Sequence, residues 1–373
     1  MKKRILSLVM ATALFVTVLS GCGSKTETPA PAADASTEAE EPAESEEPAE
    51  SEEPAAAGEN EASGEELVLK LAMTSSNDLT KPAVETFTSY IEENIPRVKF
   101  ETYINGELYT NAEDLQAAVS EGIIDASLEG DMAMSWASPE WLSWTSVPFA
   151  FSSKEQAKKF FTGEVGDEIN ETLIKDYNMR FFNNEIGVRG GRMITANKPI
   201  YSPDDLKGVK MRTPNVIGTV ASWEAMGATV INVAWGDLFN ALQTGVVEAE
   251  ENPYLELDTG GFYQVQKYIM ETSHQIGPQV IWMNETTFQK FTPEEQEIIL
   301  EANKLAFENY NANYEANDEK LKQKFLDNGN IIIPAEEIDL DAFRQVVLDK
   351  IVNGDVSKDY KEGGWDYIQS LAE

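Results

Sequence analysis

Arg212 is the residue whose type and position in the sequence indicate a specific chemistry. Residues 209–212 alternate apolar and cationic side chains with the period of two that is typical of a strand, and Pro214 cannot continue that strand. Asn215 is then a good N-cap for an amphipathic helix over residues 216–226. Arg212 would therefore lie where a strand leads into a helix N-terminus, whose unpaired amides favour a small anion.

The residue types that most enzymes need are scarce in this chain. It has one histidine, His274, and one cysteine, Cys22. It contains no GxSxG, HExxH, CxxC or GxxxxGK sequence, and no GxGxxG after an expected strand. A lone histidine is more often a hydrogen-bonded structural residue than a catalyst. The sequence therefore predicts a binding protein that is not an enzyme and needs no cofactor or metal.

Two alternatives to a small-anion receptor stay open from the residues alone. Paired carboxylates are numerous enough for a carbohydrate-active hydrolase, although in so acidic a chain their coincidence carries little information. A peptide-binding surface lipoprotein would need an exposed apolar patch, which a sequence does not display.

A second polar residue is expected at the end of a neighbouring strand. Residues 236–244 are typical of a helix closed by Gly245, and residues 246–251 of a strand that leads to Asn252. In open α/β sheets, ligands collect at the carboxyl ends of the strands. Arg212 and Asn252 are therefore expected at the same edge of one sheet.

The same stretch resembles a known family. LKGVKMRTPN, MGATVINVAWGDLFNALQTGVVEAEENP and FYQVQKY are similar to the solute-binding proteins of tripartite ATP-independent periplasmic (TRAP) transporters, the DctP-like dicarboxylate-receptor family. The resemblance covers nearly all of residues 67–350. It implies an extracytoplasmic receptor that captures an organic acid, a small-molecule carboxylate, by hinge closure. The receptor would deliver the acid to a TRAP permease in the membrane that is driven by an ion gradient.

The resemblance also implies which residues bind the substrate. Arg212 matches the carboxylate-clamping arginine of the family, and Arg192 in GGRMITANKP matches a second arginine. Asn252 matches the asparagine of an E-N-P motif, Asn215 an asparagine after R-x-P, and Trp235 an aromatic residue before the A-L-Q-T helix.

Three acidic residues near this site have roles that the sequence leaves undecided. Glu250 stands where many family members read Q in D-G-Q-E-N-P, and it would disfavour a second substrate carboxylate if it faced the cleft. Glu129 and Asp131 follow an expected strand over residues 123–128. The resemblance places them near a position that contacts substrate in some relatives, but surface exposure is the role we expect for them. Relatives serve dicarboxylates, sugar acids, keto acids and aromatic acids, so the substrate itself stays open.

The first 66 residues are not expected to be part of the fold. Residues 1–22 are typical of a lipoprotein signal peptide, because basic residues precede an apolar run and LSGC forms a lipobox. Lipid on Cys22 would hold the protein at the outer face of the cell membrane or in the periplasm. Residues 23–66 are rich in Pro, Ala, Ser and Glu, which predicts a disordered acidic tether. The chain carries a formal net charge of −36, so nucleic acid is an unsuitable partner.

Alternating strand and helix patterns after residue 67 predict an α/β fold with a mostly parallel sheet covered by helices on both faces. The resemblance implies two domains like those of periplasmic binding proteins, with mixed sheets. Domain I would comprise residues 67–188 and 278–308, and domain II residues 189–277 and 309–373. We expect a monomer.

One long helix is expected to tie the two domains together. Residues 292–295, TPEE, form a capping box with proline at the first helical position, and neither glycine nor proline follows before Gly329. Up to about 36 residues could then be helical, with a break possible among the asparagines of residues 309–317. Six residues are expected on its inner face: Ile299, Ala302, Ala306, Tyr310, Leu321 and Phe325.

Residues 131–151 are rich in tryptophan and methionine. Large aromatic side chains are mostly packing residues, so Trp136, Trp141, Trp144 and Phe149 are expected in the core under a loop. The alternative is that one or two of them line the substrate cleft.

Overall fold

The computed structural model of the protein describes residues 66–131, 137 and 139–372. The signal peptide, Cys22, almost all of the expected tether and Trp136 lie outside these residues. None of the helices in the described part of the chain is long and apolar enough to cross a membrane.

Strands and helices alternate along most of the described chain. The strands are β1 (Leu67–Ala72), β2 (Val98–Tyr103), β3 (Ala126–Gly130), β4 (Met179–Phe181), β5 (Gly187–Val188), β6 (Met193–Ala196), β7 (Lys210–Thr213), β8 (Thr229–Asn232), β9 (Ala249–Asn252), β10 (Tyr268–Met270), β11 (Pro278–Asn284) and β12 (Ile331–Ile333). The helices are α1 (Thr80–Asn94), α2 (Ala112–Ser120), α3 (Pro139–Thr145), α4 (Lys154–Thr162), α5 (Glu164–Tyr177), α6 (Ile217–Ala225), α7 (Trp235–Thr244), α8 (Tyr254–Thr259), α9 (Glu285–Phe288), α10 (Pro293–Asn328), α11 (Leu340–Val347) and α12 (Gly364–Ser370).

The first sheet has the strand order β2-β1-β3-β11-β4, and β5 pairs with β11. β1 runs parallel to both β2 and β3, whereas β11 runs antiparallel to β3, β4 and β5. The chain leaves this sheet after β5 and returns to its centre with β11. Strand β11 thus brings residues 278–284 back into the first sheet.

The second sheet has the strand order β12-β10-β6-β9-β7-β8. β7 is parallel to β8 and β9, and β10 is parallel to β12, but β6 is antiparallel to both β9 and β10. Both sheets are thus mixed, as the family resemblance implies, and the expectation of a mostly parallel sheet is wrong. Parallel neighbours are joined by helical crossovers, whereas β6 and β11 are reached directly from the other sheet and can run antiparallel.

Helix α6 begins one residue later than expected. Its N-cap is Val216, with φ −115° and ψ 120°, and no side chain caps it. The amide of Val216 donates a hydrogen bond to the carbonyl oxygen of Pro214 (2.9 Å). Because this tight turn comes first, helical geometry starts only at Ile217, and Asn215 is not the N-cap.

Helix α10 is the long connecting element. The capping box is present, since Thr292 Oγ1 accepts from the amide of Glu295 (3.3 Å) and Glu295 Oε2 accepts from the amide of Thr292 (2.9 Å). The six residues expected on its inner face are all buried. The helix is unbroken over 36 residues. Its asparagines bind the chain between β4 and β5: Asn311 Nδ2 donates to the carbonyl oxygen of Ile186 (2.8 Å), so tertiary contacts outweigh weak helix propensity.

Helix α10 also contacts elements on both sides of the molecule. Asn303 Nδ2 donates to the carbonyl oxygen of Glu185 (2.9 Å), next to the first sheet. Lys322 Nζ donates to Glu271 Oε1 (2.6 Å), which follows β10 of the second sheet. The helix therefore bridges the two sheets, which agrees with the expected element that spans both halves.

The tryptophans of α3 are core residues. Trp144 is 5% exposed and its Nε1 donates to the carbonyl oxygen of Lys361 (2.8 Å). Trp141 packs edge-on against Phe160 and Tyr367, with ring centroids 5.7 and 5.6 Å apart. The packing interpretation is confirmed for these two residues, and Trp141 packs α12 against α3 and α4.

Candidate functional site

A cavity of about 590 Å³ lies between the carboxyl ends of strands from the two sheets. On one side, Thr74 and Ser75 follow β1, and Glu129 lies at the end of β3. On the other side, β7, β8 and β9 are parallel, so their ends meet at one edge and bring Arg212 and Asn252 together. This is the sheet edge at which ligands are expected to collect in α/β proteins.

All five residues expected to bind substrate line this cavity: Arg192, Arg212, Asn215, Trp235 and Asn252. Arg192 arrives there because it directly precedes β6, whose first residue pairs with Asn252 at the end of antiparallel β9. Their shared location is a finding, whereas their roles in binding remain predictions.

Arg212 is buried at the cavity wall without a carboxylate partner. It is 5% exposed, and its Nε donates to the carbonyl oxygen of Val233 (2.9 Å). Within the described part of the chain, no carboxylate oxygen lies within 4.0 Å of its guanidinium. Burial lowers the pKa of Arg212 to about 10, and the charges of Glu250 and Glu251 offset that effect only in part. At neutral pH the cavity therefore contains a charged guanidinium that lacks a counter-ion in contact.

Arg192 differs from Arg212 because a carboxylate already holds it. Its Nε pairs with Glu251 Oε2, and its Nη2 donates to Glu251 Oε1 (3.0 Å) and to the carbonyl oxygen of the same residue (2.5 Å). Burial lowers the pKa of Arg192, but the charge of Glu251 outweighs it and the net shift is upward. These bonds use Nε and Nη2, which leaves Nη1 as the group that Arg192 can offer to a ligand.

His274 belongs to the same buried network. Its Nε2 lies 3.1 Å from Glu251 Oε2, and its Nδ1 lies 2.8 Å from Thr272 Oγ1. Burial lowers the pKa of His274 despite the neighbouring carboxylate, so the imidazole is neutral at pH 7. Burial alone would raise the pKa of Glu251, but Arg192 and His274 bring it down to about 2. The expectation of a hydrogen-bonded structural histidine is confirmed.

Glu250 lies behind the cavity wall and does not line the cavity. It is fully buried, its Oε1 accepts from Thr195 Oγ1 (2.6 Å) and its Oε2 accepts from Asn252 Nδ2 (2.6 Å). Burial raises the pKa of Glu250 to about 7. Since Glu250 does not face the cleft, the condition under which it would repel a second substrate carboxylate directly is not met.

Glu129 faces the cavity instead. Surface exposure was expected for Glu129 and Asp131, and both expectations are wrong: Glu129 is half-buried and Asp131 is 1% exposed. The reason is that β3 runs to Gly130, so that both residues extend a central strand between β1 and β11. Asp131 Oδ2 accepts from Thr145 Oγ1 (2.5 Å).

One oxygen of Glu129 is committed to the protein and the other is available. Oε1 accepts from the amide and the Oγ1 of Thr74, both at 2.8 Å. Oε2 has no hydrogen-bond partner among the described residues. Burial raises the pKa of Glu129 to about 7, opposed by the bonds from Thr74 and the charge of Arg189. Glu129 therefore offers an acceptor oxygen to the cavity.

Trp235 and Asn215 occupy different positions at the cavity. Trp235 is half-buried at the start of α7 and packs its ring edge against Phe262, with centroids 5.1 Å apart. Asn215 is exposed, and no residue in the described ranges hydrogen-bonds to its side chain. Trp141 and Trp144 do not line the cavity, so the alternative that they contact substrate there is wrong.

Several residues that line the cavity were not predicted from the sequence. Thr74 and Asn232 could have been found, because the rule that identified Arg212 applies equally to the ends of β1 and β8. Arg189, Glu256 and Gln279 gave no local signal. Arg189 Nη2 lies 3.7 Å from Asp131 and its Nη1 lies 3.9 Å from Glu256, contacts that only the folded chain creates.

The described residues contain no candidate metal site. Across residues 66–131, 137 and 139–372, no group of three or more His, Cys, Asp or Glu side chains is arranged to hold a metal ion. The chemistry that the site offers is hydrogen bonding and charge pairing.

Known proteins share both the sequence pattern and the fold. A solute-binding protein of Roseobacter denitrificans is 32% identical over 209 residues, which are 55% of this chain and 62% of that protein. Its solved structure, a TRAP periplasmic solute-binding protein with bound L-galactonate, matches with a TM-score of 0.74 and 27% identity over 83% of this chain and 99% of that chain.

Two other relatives carry different ligand names. The 2,3-diketo-L-gulonate-binding periplasmic protein YiaO of Escherichia coli is 28% identical over 68% of this chain and 75% of its own length. The C4-dicarboxylate-binding protein DctB of Bacillus subtilis is 27% identical over 69% and 73%. The family described as bacterial extracellular solute-binding protein, family 7 (DctP), matches residues 72–353. Because that match spans most of the 373 residues, the chain belongs to this family, and the resemblance to TRAP solute-binding proteins is confirmed.

Proposed function

We propose that this protein is the extracytoplasmic receptor of a TRAP transporter and that it binds an organic acid through Arg212. The observation that carries the proposal is the buried guanidinium of Arg212, which faces a cavity and has no carboxylate in contact among the described residues. A buried cation without a partner is costly, so an anion that pairs with it gains free energy. Since Nε already binds Val233, the two Nη groups are free to grip a carboxylate with parallel hydrogen bonds.

Capture would proceed by closure of two lobes around the acid. We propose residues 67–188 and 278–308 as the first lobe and residues 189–277 and 309–373 as the second. The crossings between β5 and β6 and between β10 and β11 would serve as hinges, with α10 as a common support. Closure excludes water and so strengthens the pairing at Arg212. It is favoured only by the higher affinity of the acid for the closed state.

The cavity supports a hydroxylated acid better than a dicarboxylate. The wall opposite Arg212 presents hydroxyl and amide groups from Thr74, Ser75 and Asn77, and the available oxygen of Glu129 accepts a hydrogen bond. A substrate hydroxyl can donate to that oxygen, whereas a second carboxylate would be repelled by it. Relatives named for L-galactonate and 2,3-diketo-L-gulonate agree with this choice, and the C4-dicarboxylate relative represents the alternative.

The remaining site residues would orient the rest of the acid. Nη1 of Arg192 and the side chains of Asn215 and Asn252 would bind its polar groups, and Trp235 would pack against it. We propose that the protein releases the acid unchanged to membrane permease subunits. Lipid on Cys22 and the acidic segment of residues 23–66 would keep a monomeric receptor at the outer face of the membrane.

A melting screen with organic acids tests this function. Ligand at about 1,000 times its dissociation constant stabilises a protein by roughly 4 kcal/mol, which is visible as a rise in Tm. We expect hydroxylated monocarboxylates such as L-galactonate to raise Tm and their methyl esters to have no effect. Release of product from oligosaccharides would instead support the hydrolase alternative. A rise with peptides and none with acids would support the peptide-binding alternative.

A further inference from the structure

Glu250 is an unusual residue to find behind a site for acids. Its carboxyl group is fully buried on β9, and its hydrogen-bond partners among the described residues, Thr195 and Asn252, are neutral donors. No cation lies within 4.0 Å of it in the described part of the chain. A buried carboxyl group without a contacting cation favours its neutral form.

The neighbours of Glu250 connect it to the ligand site on both sides. Along its own strand, Asn252 lines the cavity and donates its Nδ2 to Glu250. On the neighbouring parallel strand β7, Met211 pairs with Ala249, so Arg212 is next in register to Glu250, and its charge lowers the pKa of Glu250 without direct contact. The charged groups that surround it are Arg212 on β7, Arg192 just before β6, and Glu251 on β9. Glu251 is ion-paired with Arg192 and hydrogen-bonded to the neutral His274.

We propose that Glu250 is a positioning residue that holds the amide of Asn252 in place and takes up a proton when an acid binds to Arg212. The proposal rests on the proposed function of Arg212 as the carboxylate site. In the free protein, Arg212 is the cation that favours ionised Glu250. The negative charge of a bound carboxylate cancels the effect of Arg212 on Glu250, and the loss of that effect favours protonation of Glu250.

The hydrogen bonds allow this change without rearrangement. Neutral Glu250 can donate its new proton from Oε1 to Thr195 Oγ1, a hydroxyl group that accepts as well as donates. Oε2 can continue to accept from Asn252 Nδ2. Asn252 thereby keeps its Oδ1 directed away from Glu250 in both protonation states, and the ligand meets the same amide.

Linkage gives the sign of the pH effect. The pKa of Glu250 is about 7 in the folded protein and about 4.5 when unfolded, so the folded state binds more protons between these values. Stability conferred by the neutral group is therefore lost as pH rises through this window. Binding of an acid raises the pKa of Glu250 further, so the affinity for the acid falls above pH 7. The total loss is about tenfold for each unit by which binding raises the pKa of Glu250.

The first experiment needs no ligand. Melting temperatures of the wild type and of Glu250→Gln are compared at pH 5 and pH 8, with Glu248→Gln as the matched control because Glu248 is exposed next to the same strand. When the pH is raised from 5 to 8, the Tm of Glu250→Gln should rise by at least about 2 °C relative to the Tm of the wild type. The Tm of Glu248→Gln should not change relative to that of the wild type. An equal pH dependence of Tm in all three proteins would overturn the claim that Glu250 binds a proton in the folded protein.

The second experiment measures the coupling to ligand. L-galactonate, D-glucuronate and succinate are titrated by calorimetry at pH 7.5 in phosphate and in Tris, whose ionisation enthalpies differ. We expect proton uptake in the wild type and in Glu248→Gln, and its loss in Glu250→Gln. Glu129→Gln separates any contribution of the other carboxyl group that titrates near pH 7. Binding without proton uptake overturns the coupling but leaves the function intact; no binding of any acid overturns both, and the melting comparison then stands alone for Glu250.

Discussion

Arg192 and Arg212 line the same cavity, but only Arg192 is paired with a carboxylate, that of Glu251. The family motifs match both arginines and do not distinguish their roles. The structure divides them into one that is held by the protein and one that is available to a ligand. Arg212 should therefore control affinity, and Arg192 should control the stability of the site.

Replacement of Arg212 should abolish most of the affinity for acids. Arg212→Ala should cost about 2–5 kcal/mol of binding free energy, the usual range when one partner of a buried charge pair is removed. Arg212→Lys should recover only part of it, because an ammonium group cannot form the two parallel hydrogen bonds of a guanidinium. Calorimetric titration measures both losses.

Lys210→Ala is the matched control for Arg212, since Lys210 is an exposed cation on the same strand. Its affinity should stay within about twofold of the wild type, because an exposed charge is screened by solvent. A loss of affinity of less than threefold in Arg212→Ala would show that Arg212 does not bind the carboxylate.

Removal of Arg192 should destabilise the fold. Arg192→Ala leaves Glu251 buried with only His274 as a partner, and the expected loss in unfolding free energy is about 3–5 kcal/mol. Urea denaturation at pH 7 measures it. The double variant Arg192→Ala with Glu251→Gln should recover part of the loss, because no carboxylate is then left unpaired. No recovery would show that the lost contacts of the long side chain, and not the charge, cause the effect.

The same pair predicts acid sensitivity. The pKa of Glu251 is depressed to about 2, so the unfolded state binds more protons than the folded state between pH 4.5 and pH 2. The stability that the pair contributes is present above pH 4.5 and is lost as pH falls through this window. Glu251→Gln should lose less unfolding free energy than the wild type between pH 5 and pH 3. Parallel losses would contradict the assignment.

Local sequence patterns predicted most of the helices and strands, because these elements depend on interactions between residues close in sequence. The period of two over residues 209–212 identified β7 to within one residue, and the capping box with proline identified the start of α10. The errors came from long-range context. Asn215 has the chemistry of an N-cap, but the turn at Pro214 comes first. The sequence gives no local sign that β6 and β11 run antiparallel, since strand direction depends on which sheet the chain enters.

The site was predictable only where one side chain acts alone. The positions of Arg212 and Asn252 follow from strand-end geometry, and the other three residues expected to bind substrate follow from family motifs. What the sequence could not show is pairing: that Glu251 occupies Arg192, that Thr74 holds one oxygen of Glu129, or that Glu250 turns away from the cavity. These relations join segments about 55 residues apart and depend on strand register.

Glu129 should set the preference against dicarboxylates. Its available oxygen carries negative charge above pH 7, because burial places its pKa at about 7. Glu129→Gln keeps an oxygen that can accept from Thr74 and removes the charge. At pH 8 this variant should bind succinate about tenfold more tightly than the wild type does, a change that corresponds to about 1.4 kcal/mol. Near pH 6, where the wild-type carboxyl is mostly neutral, the difference should shrink.

Glu121→Gln serves as the control for Glu129, since Glu121 is an exposed carboxylate at the end of α2 and does not line the cavity. It should bind succinate as the wild type does. An unchanged succinate affinity in Glu129→Gln at pH 8 would show that the carboxyl group does not face the ligand.

Association with an acid should not slow when salt is added. The chain carries a net charge of −36, which repels an anion at long range, but the field is screened beyond about 8 Å at physiological ionic strength. Added salt weakens this repulsion first, while the attraction of Arg212 acts inside the cavity at short range. Stopped-flow rates followed by tryptophan emission should therefore be constant or rise between about 20 and 200 mM NaCl. A steep fall would mean that the arginines steer the acid from a distance and that the acidic surface plays no part in the encounter.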